Sequence, residues 1–364
     1  MAVTFTQEIF NNYPVFNNSW IKFSTSGVPE RALITVLEPA ELLSAPISIY
    51  PNAAGEFTFN LAELAKISFD KDGFNMANEP ASGWLGKIES HNSKLTLSFS
   101  VTTATGTESV SKTFTFYKGV VQVLDESSDL IFLDINKEID YFEGFPFSLQ
   151  FSGFSQGDTI KIKHIGTGIE TAELTASALG TFDALSVCVD KGSENFSNTN
   201  FLPLPNIKNV LEIYKNGAYL ETLTVQKFAD ICSGVLLRYV NSKGGTSYRL
   251  FDEFFKSSNT SRSIGRVAKN NFLNVGSLSN NFAELGKTAT QYLTLKTTVD
   301  KNKLNTIDDL INSPNIEVYS KNEAFSVGNW IPVFSNGTIT TNNKKRFSEI
   351  SIGVEMPAKI TMNL

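Results

Sequence analysis

Lys94-Leu95-Thr96-Leu97-Ser98-Phe99-Ser100-Val101, then Thr103-Ala104-Thr105-Gly106, then Val110, Phe114 and Phe116, decides the class of fold. Leu95, Leu97, Phe99 and Val101 alternate with threonine and serine at a period of two. That period puts every apolar side chain on one face of a strand and every hydroxyl on the other. The turn at Thr103–Gly106 reverses the chain, and Val110, Phe114 and Phe116 line the return. One face apolar and one hydroxyl-rich describes a half-buried antiparallel sheet.

Toward the N-terminus the same grammar continues. Trp20–Ser24, Ala32–Leu37 and Ile47–Tyr50 read as short strands. Phe57 and Phe59 flank Thr58, after which Leu61, Leu64 and Ala65 change the period. Asn60 with Glu63 three residues later is a capping-box variant that starts one or two helical turns. Residues 1–120 are therefore expected to be a β domain with one short helix.

Toward the C-terminus, residues 121–232 read as a second β domain of sandwich type, immunoglobulin-like or fibronectin-like. Its strands are Leu130–Ile135, Phe147–Phe151, Ile160–Lys163 and Leu185–Val189. Val210–Tyr214 and Ala218–Val225 flank Asn216-Gly217, a strong hairpin signal. Gly192–Asn206, rich in Asn, Ser and Pro, reads as a surface excursion.

Residues 233–364 form the third expected domain. Leu236–Tyr239 and Ser247–Phe251 flank the turn Lys243-Gly244-Gly245. Lys256–Asn280 is polar and glycine-dotted and reads as a loop, of a length that often binds something. Gln291–Thr298 is a strand. Leu304, Ile307, Leu310 and Ile311 fall on one helical face opposite Asp308 and Asp309, with Asn302 or Asn305 as cap and Pro314 as stop. Strands at Ile316–Ser320, Asn329–Phe334 and Phe347–Met356 close the chain, with a charged turn at Asn342–Arg346. The fold expected is mainly β: tandem sandwich domains, then a β-rich C-terminal module with one short helix.

Bulk properties agree. A chain of 364 residues exceeds one ordinary core. Its 29 phenylalanines favour strands. Net charge is −6, so nucleic acid is not expected as the main partner. Two cysteines far apart, Cys188 and Cys232, are too few for a secreted disulfide framework. No apolar run reaches a membrane span, and the N-terminus has no signal-like segment. The chain is expected to be made in a cytoplasm and to leave it only inside a larger particle.

The search for chemistry returns no catalytic constellation, so no enzyme, cofactor or metal is expected. Gly166-Thr167-Gly168 lacks a third glycine and a following helix, and reads as a hairpin turn. Asp70-Lys71-Asp72-Gly73 has its glycine misplaced for a calcium loop and Ala81 where the bidentate Glu belongs. Asp125, Glu126 and Asp129 read as a solvated linker. His91 and His164 alone cannot make a histidine-rich zinc site. His164, on the face of Ile160 and Ile162, is expected to be half-buried in a sheet. Lys256, Arg262, Arg266 and Lys269 with Phe254, Phe255 and Phe272 could form a nucleic-acid strip. A solvated loop, or one ordered by a protein neighbour, is the preferred reading.

Leu237-Arg238-Tyr239-Val240-Asn241-Ser242-Lys243-Gly244-Gly245-Thr246-Ser247-Tyr248-Arg249-Leu250-Phe251 resembles a segment found in tail structural proteins of Bacteroidetes tailed phages and prophages, including crAss-like phages. Ser313-Pro314-Asn315-Ile316-Glu317-Val318, Ile331–Thr338 and Phe347–Glu355 follow in the order that family shows. Gly55–Ala65 is similar to its segment leading into the first short helix. Thr246 and Arg249 depart from positions often aromatic there.

The resemblance implies a structural virion protein of the tail: a ring, hub or baseplate component that connects tail parts or anchors fibres. It implies partners that are copies of itself and other tail, portal-side or fibre proteins, and a place in the virion. Arg238, Tyr239, Gly244, Gly245, Arg262, Arg266 and Trp330 are the expected interface residues, since Arg and aromatic side chains dominate interface energetics. The alternative is a carbohydrate- or receptor-binding β-sandwich adhesin at the tail tip.

Overall fold

The structure, a computed structural model, describes residues 3–10, 12–69, 85–88, 91–120, 132–134, 136–154, 157–171, 173–175, 184–187, 204–229, 234–268, 282–320, 330–338 and 346–358. The Asp70–Asn75 turn, the Asp125/Glu126/Asp129 cluster, both cysteines, Lys269 and Phe272 lie outside these residues. So do half of Leu130–Ile135 and most of Gly192–Asn206 and of Asn342–Arg346. The chain is mainly β, with sandwich-type sheets in tandem followed by a β-rich C-terminal unit with one short helix.

It divides into two compact units. The first is Met1–Phe228 with Val240–Thr246; the second is Ala229–Tyr239 with Ser247–Leu364.

The first unit begins with a sandwich. One sheet runs β1 (Thr4–Gln7), β3 (Trp20–Ser24), β6 (Phe57–Asn60). The facing sheet runs β2 (Tyr13–Pro14), β9 (Gly106–Tyr117), β8 (Asn92–Thr103), β4 (Pro29–Glu38), β5 (Ile47–Ile49). The alternating apolar residues of β8 are all buried, in one core with those of β3 and β6. The Phe23 ring lies 5.1 Å from Phe57 within its own sheet and 5.1 Å from Phe99 across the sandwich. Helix α1 (Ala62–Phe69) adds Leu64, Ala65 and Phe69 to that core. The side-chain oxygen of Asn60 accepts the Ala62 amide at 3.1 Å and the Ser19 amide at 3.1 Å, which caps the helix and fixes its approach.

The rest of the first unit holds two further sheets. A five-stranded sheet runs β10 (Glu138–Phe142), β16 (Ala218–Phe228), β15 (Lys208–Lys215), β12 (Thr159–His164), β13 (Leu174–Thr175). A three-stranded sheet runs β11 (Leu149–Phe151), β14 (Ala184–Val187), β7 (Leu85–Ile88). Asn216 and Gly217, at φ 51° and 74°, make the left-handed two-residue turn between β15 and β16. The pairing of β7 with β14, from Leu85↔Val187 to Ile88↔Ala184, joins chain from either side of residue 120. No break between compact units falls there. The second unit begins at Ala229.

The second unit is one seven-stranded sheet around α2 (Leu304–Asn312). Its order is β18 (Thr246–Phe251), β17 (Val235–Val240), β21 (Ile316–Tyr319), β22 (Trp330–Thr338), β23 (Phe347–Glu355), β20 (Phe282–Asp300), β19 (Glu253–Ala268). The two edge strands are consecutive in the chain, with only Asp252 between them. Laid flat, seven strands would hold the edges about 29 Å apart. The step from Phe251 to Glu253 spans at most about 7 Å. The sheet therefore curls, and β22 makes the corner: Trp330–Tyr319 to Val333–Ile316 pair on one side, Phe334–Glu355 to Thr338–Ser351 on the other.

Ile307 and Leu310 of α2 fill the inside, with Leu237, Phe251, Leu295, Val318 and Ile352. Neither Asn302 nor Asn305 caps this helix. Asp300 accepts the Asn302 amide at 3.1 Å and starts a single 3-10 turn, Lys301–Lys303, that leads into α2.

Lys256–Asn280, expected as a loop, is a strand as far as it is described: β19 pairs with β20 from Glu253↔Lys296 to Ala268↔Phe282. Backbone pairing builds it, with the Arg266–Glu284 ion pair at 4.0 Å across the two strands. Its run of Ser, Thr, Asn and Arg has no apolar alternation, so the sequence carries no strand signal there.

Candidate assembly interface

Five of the seven expected interface residues face inward. The Arg238 guanidinium, buried, meets the Glu317 carboxylate at 2.5–2.6 Å through two of its nitrogens. It also stacks 4.2 Å above the Trp330 ring centroid. Trp330 is buried beside Tyr319, their rings 5.1 Å apart. The buried Tyr239 hydroxyl donates to the Thr306 carbonyl at 2.9 Å and so ties β17 to α2. A planar guanidinium held by a carboxylate and an aromatic face is a cross-strand clasp on β17, β21 and β22. These side chains are engaged within the chain.

Gly244 and Gly245 are also internal. Residues 240–246 belong to the first unit although the strands on either side belong to the second. The Asn241 side chain organises this turn. Its oxygen accepts the Lys243 and Gly245 amides, each at 3.0 Å, and its nitrogen donates to the Leu133 carbonyl at 2.7 Å. The Gln150 side-chain oxygen accepts the Thr246 amide at 2.6 Å, and the Ser242 carbonyl accepts the Val120 amide at 2.6 Å. Gly244 sits at φ +79°, and a Cβ there would lie 1.4 Å from the Lys118 carbonyl oxygen. A Cβ on Gly245 would lie 2.5 Å from the Leu133 carbonyl oxygen. The glycine pair is set by this close approach of backbones.

Lys118 itself is buried, and burial pushes its ammonium down from 10.5 to about 8.

Arg262 and Arg266 are the two expected residues that face solvent. Both sit on β19, beyond the point where β20 leaves β23 at Tyr292↔Glu355. From Thr260↔Thr290 to Ala268↔Phe282 the described sheet is only two strands wide. Two bulges break this ribbon: Ile264 is the extra residue on β19 and Leu285 on β20, on either side of the Gly265–Gly286 pair. A bulge re-aims the side chain it carries. Ile264 is 56% exposed and Leu285 47%. Val267 and Phe282, farther along, are exposed too. The sequence hinted at this region only through its length and its basic residues; the apolar content of the ribbon was missed.

His164 is fully buried, where half-burial was expected. Its Nε2 lies 3.0 Å from the Asn209 side-chain oxygen, and its Nδ1 accepts the Thr167 amide at 3.0 Å. It fixes the Gly166–Gly168 turn, in which Gly168 takes φ +70°. Among the described residues no group of three or more His, Cys, Asp or Glu could hold a metal ion. Among them, too, no helix is long and apolar enough to cross a membrane.

No protein-family model and no curated protein matches this chain. Solved structures that match in part are titin A168–A169 (14% identity, TM-score 0.24, 63% of this chain and 100% of that one) and the fibronectin(III)-like modules of Clostridium thermocellum CbhA (8% identity, TM-score 0.18, 62% and 93%). A Salmonella alpha-2-macroglobulin mutant matches with 7% identity and TM-score 0.19, over 100% of this chain and 34% of that one.

Proposed function

We propose that this chain is a structural virion protein of a phage tail, a ring, hub or baseplate component that works by assembling with copies of itself and with neighbouring tail or fibre proteins. The resemblance of Leu237–Phe251, Ser313–Val318 and Phe347–Glu355 to such proteins suggests the class. The observation that carries the reading is the two-stranded ribbon with Ile264 and Leu285 in solvent. A two-stranded hairpin is marginal in water on its own, and clustered exposed apolar side chains mark contact surfaces. A protein that lives between neighbours accounts for both.

The test is the mass of the purified full-length chain across a range of concentrations, by native mass spectrometry. Assembly into a closed ring of fixed copy number is expected. A monomer at every concentration would sink the reading.

A second reading, an adhesin at the tail tip, draws on the solvent-facing Trp20, Tyr50 and Tyr219 of the first unit. It requires saturable glycan binding by the full-length chain that Trp20→Ala or Tyr50→Ala weakens.

A further inference from the structure

We infer that the β19–β20 ribbon of one copy docks on the outer sheet face of a second copy, across Phe334, Glu355 and Tyr292. The inference rests on the tail-ring reading and assigns the two surfaces that would build it.

The donor surface is the ribbon. Its exposed apolar side chains, Ile264, Val267 and Leu285, stand among Arg262, Arg266 and Lys287, with Glu284 as the one acid within Thr260–Ala268 and Phe282–Thr290. Glu284 lies 4.0 Å from Arg266 and 3.4 Å from Lys287. Arg262 has no carboxylate partner among the described residues. The ribbon is thus apolar and net basic, in a chain of 37 acidic and 31 basic residues.

The acceptor surface is a row across three strands. Phe334 of β22 and Tyr292 of β20 both pair with Glu355 of β23, so the three side chains point to one face. That face is the outer one, because Val333, Val354 and Leu293, each one residue away, are in the core. Phe334 is 79% exposed and Tyr292 40%. Glu355, between them, has no cation partner among the described residues. A carboxylate between two aromatic rings offers an apolar base and a negative centre. The ribbon supplies apolar bulge residues and an uncommitted guanidinium. The two surfaces complement each other in both respects.

Ribbon and row are different surfaces of one chain, so a copy that uses its ribbon on one neighbour and its row on another makes a heterologous contact, whereas a reciprocal pair stops at a dimer. Heterologous contacts close into rings or run on as filaments.

The experiment uses full-length chains: wild type, Ile264→Asp/Leu285→Asp (ribbon impaired) and Phe334→Asp (row impaired). All three positions are exposed, and circular dichroism melts should show wild-type folding. Native mass spectrometry is expected to find each variant monomeric at concentrations at least tenfold above those at which wild type assembles. An equimolar mixture of the two variants is expected to give a heterodimer and nothing larger, since it holds one intact ribbon type and one intact row type. Variants that assemble like wild type would overturn the ribbon contact and leave the ring reading standing. A mixture that stays monomeric would overturn the pairing of these two surfaces. Wild type that forms open, unclosed oligomers abolished by either variant would keep the contact and remove the ring. Wild type that is always monomeric would overturn both.

Discussion

The turn at Asn241–Gly245 and the ribbon at Thr260–Thr290 invert each other. The turn carries what an eye trained on motifs selects: Asn, paired glycines, with Arg238 and Tyr239 just before. All of it is engaged internally: the turn by hydrogen bonds to one Asn side chain and by backbones too close for a Cβ, Arg238 by Glu317 and Trp330, and Tyr239 by the Thr306 carbonyl. The ribbon is a monotonous polar stretch, yet it holds exposed apolar side chains and, in Arg262, a charge with no carboxylate partner among the described residues. Distinctive residues mark demanding local geometry. A surface that waits for a partner needs only ordinary residues in an unusual exposure.

That contrast can be broken at four places, in order of expected effect on stability. Gly244→Ala puts a methyl group 1.4 Å from the Lys118 carbonyl oxygen at φ +79°. The loss should exceed about 4 kcal/mol, enough to prevent cooperative folding in a marginally stable chain. Loss of a single sharp thermal transition is the readout, and a wild-type melt would show that the turn is not the constraint described.

Arg238→Ala strands the Glu317 carboxylate and should cost roughly 3–4 kcal/mol in urea unfolding. The pair Arg238→Met/Glu317→Leu should recover most of it, because what costs is the orphaned charge. If the double variant is no better than the single, the clasp acts in some other way.

Lys118→Met concerns the floor of the turn. With its folded pKa at about 8, below its usual 10.5, this lysine binds its proton more weakly in the folded chain. It therefore lowers stability below about pH 8, and the penalty lifts as pH rises from 8 toward 10.5. The wild type should gain on the order of 3 kcal/mol across that window from this group. Lys118→Met should be the more stable protein at pH 7, and its unfolding should lack that rise. Parallel pH profiles for the two proteins would refute the assignment.

Arg262→Ala sharpens the other side of the comparison. On an exposed ribbon it should move the monomer's melting by less than about 0.5 kcal/mol. Its effect should appear in assembly, as a rise in the concentration needed for oligomers. A large fall in melting temperature would mean that Arg262 is part of the protomer's own structure.

Legibility in the sequence followed burial. β8, β12 and β15 show clean alternation because each buries one face and wets the other, and each stood where the period placed it. Helix α2 was legible from Leu304, Ile307 and Leu310 on one stripe. β19 was illegible because a ribbon two strands wide buries neither face, so no apolar period is imposed on it. The glycine pair was visible, but its reason was not: the Lys118 and Leu133 carbonyls that forbid a side chain are more than a hundred residues away in sequence. The Asp300 cap was overlooked because it starts a short 3-10 turn ahead of the helix proper. The clasp of Arg238, Glu317 and Trp330 could have been found by one step of strand pairing, since Arg238 stands opposite Glu317.

The membership of residues 240–246 in the first unit sets a timetable for synthesis. A ribosome that has made residues 1–228 has not yet made the turn that satisfies the Leu133 carbonyl and the Val120 amide. The first unit waits, incomplete, until the chain has run out past it and come back. By then β17 has already emerged, so the start of the second unit is committed before the first is finished. Nascent chains released at 232 should be taken by proteases that spare chains released after 246.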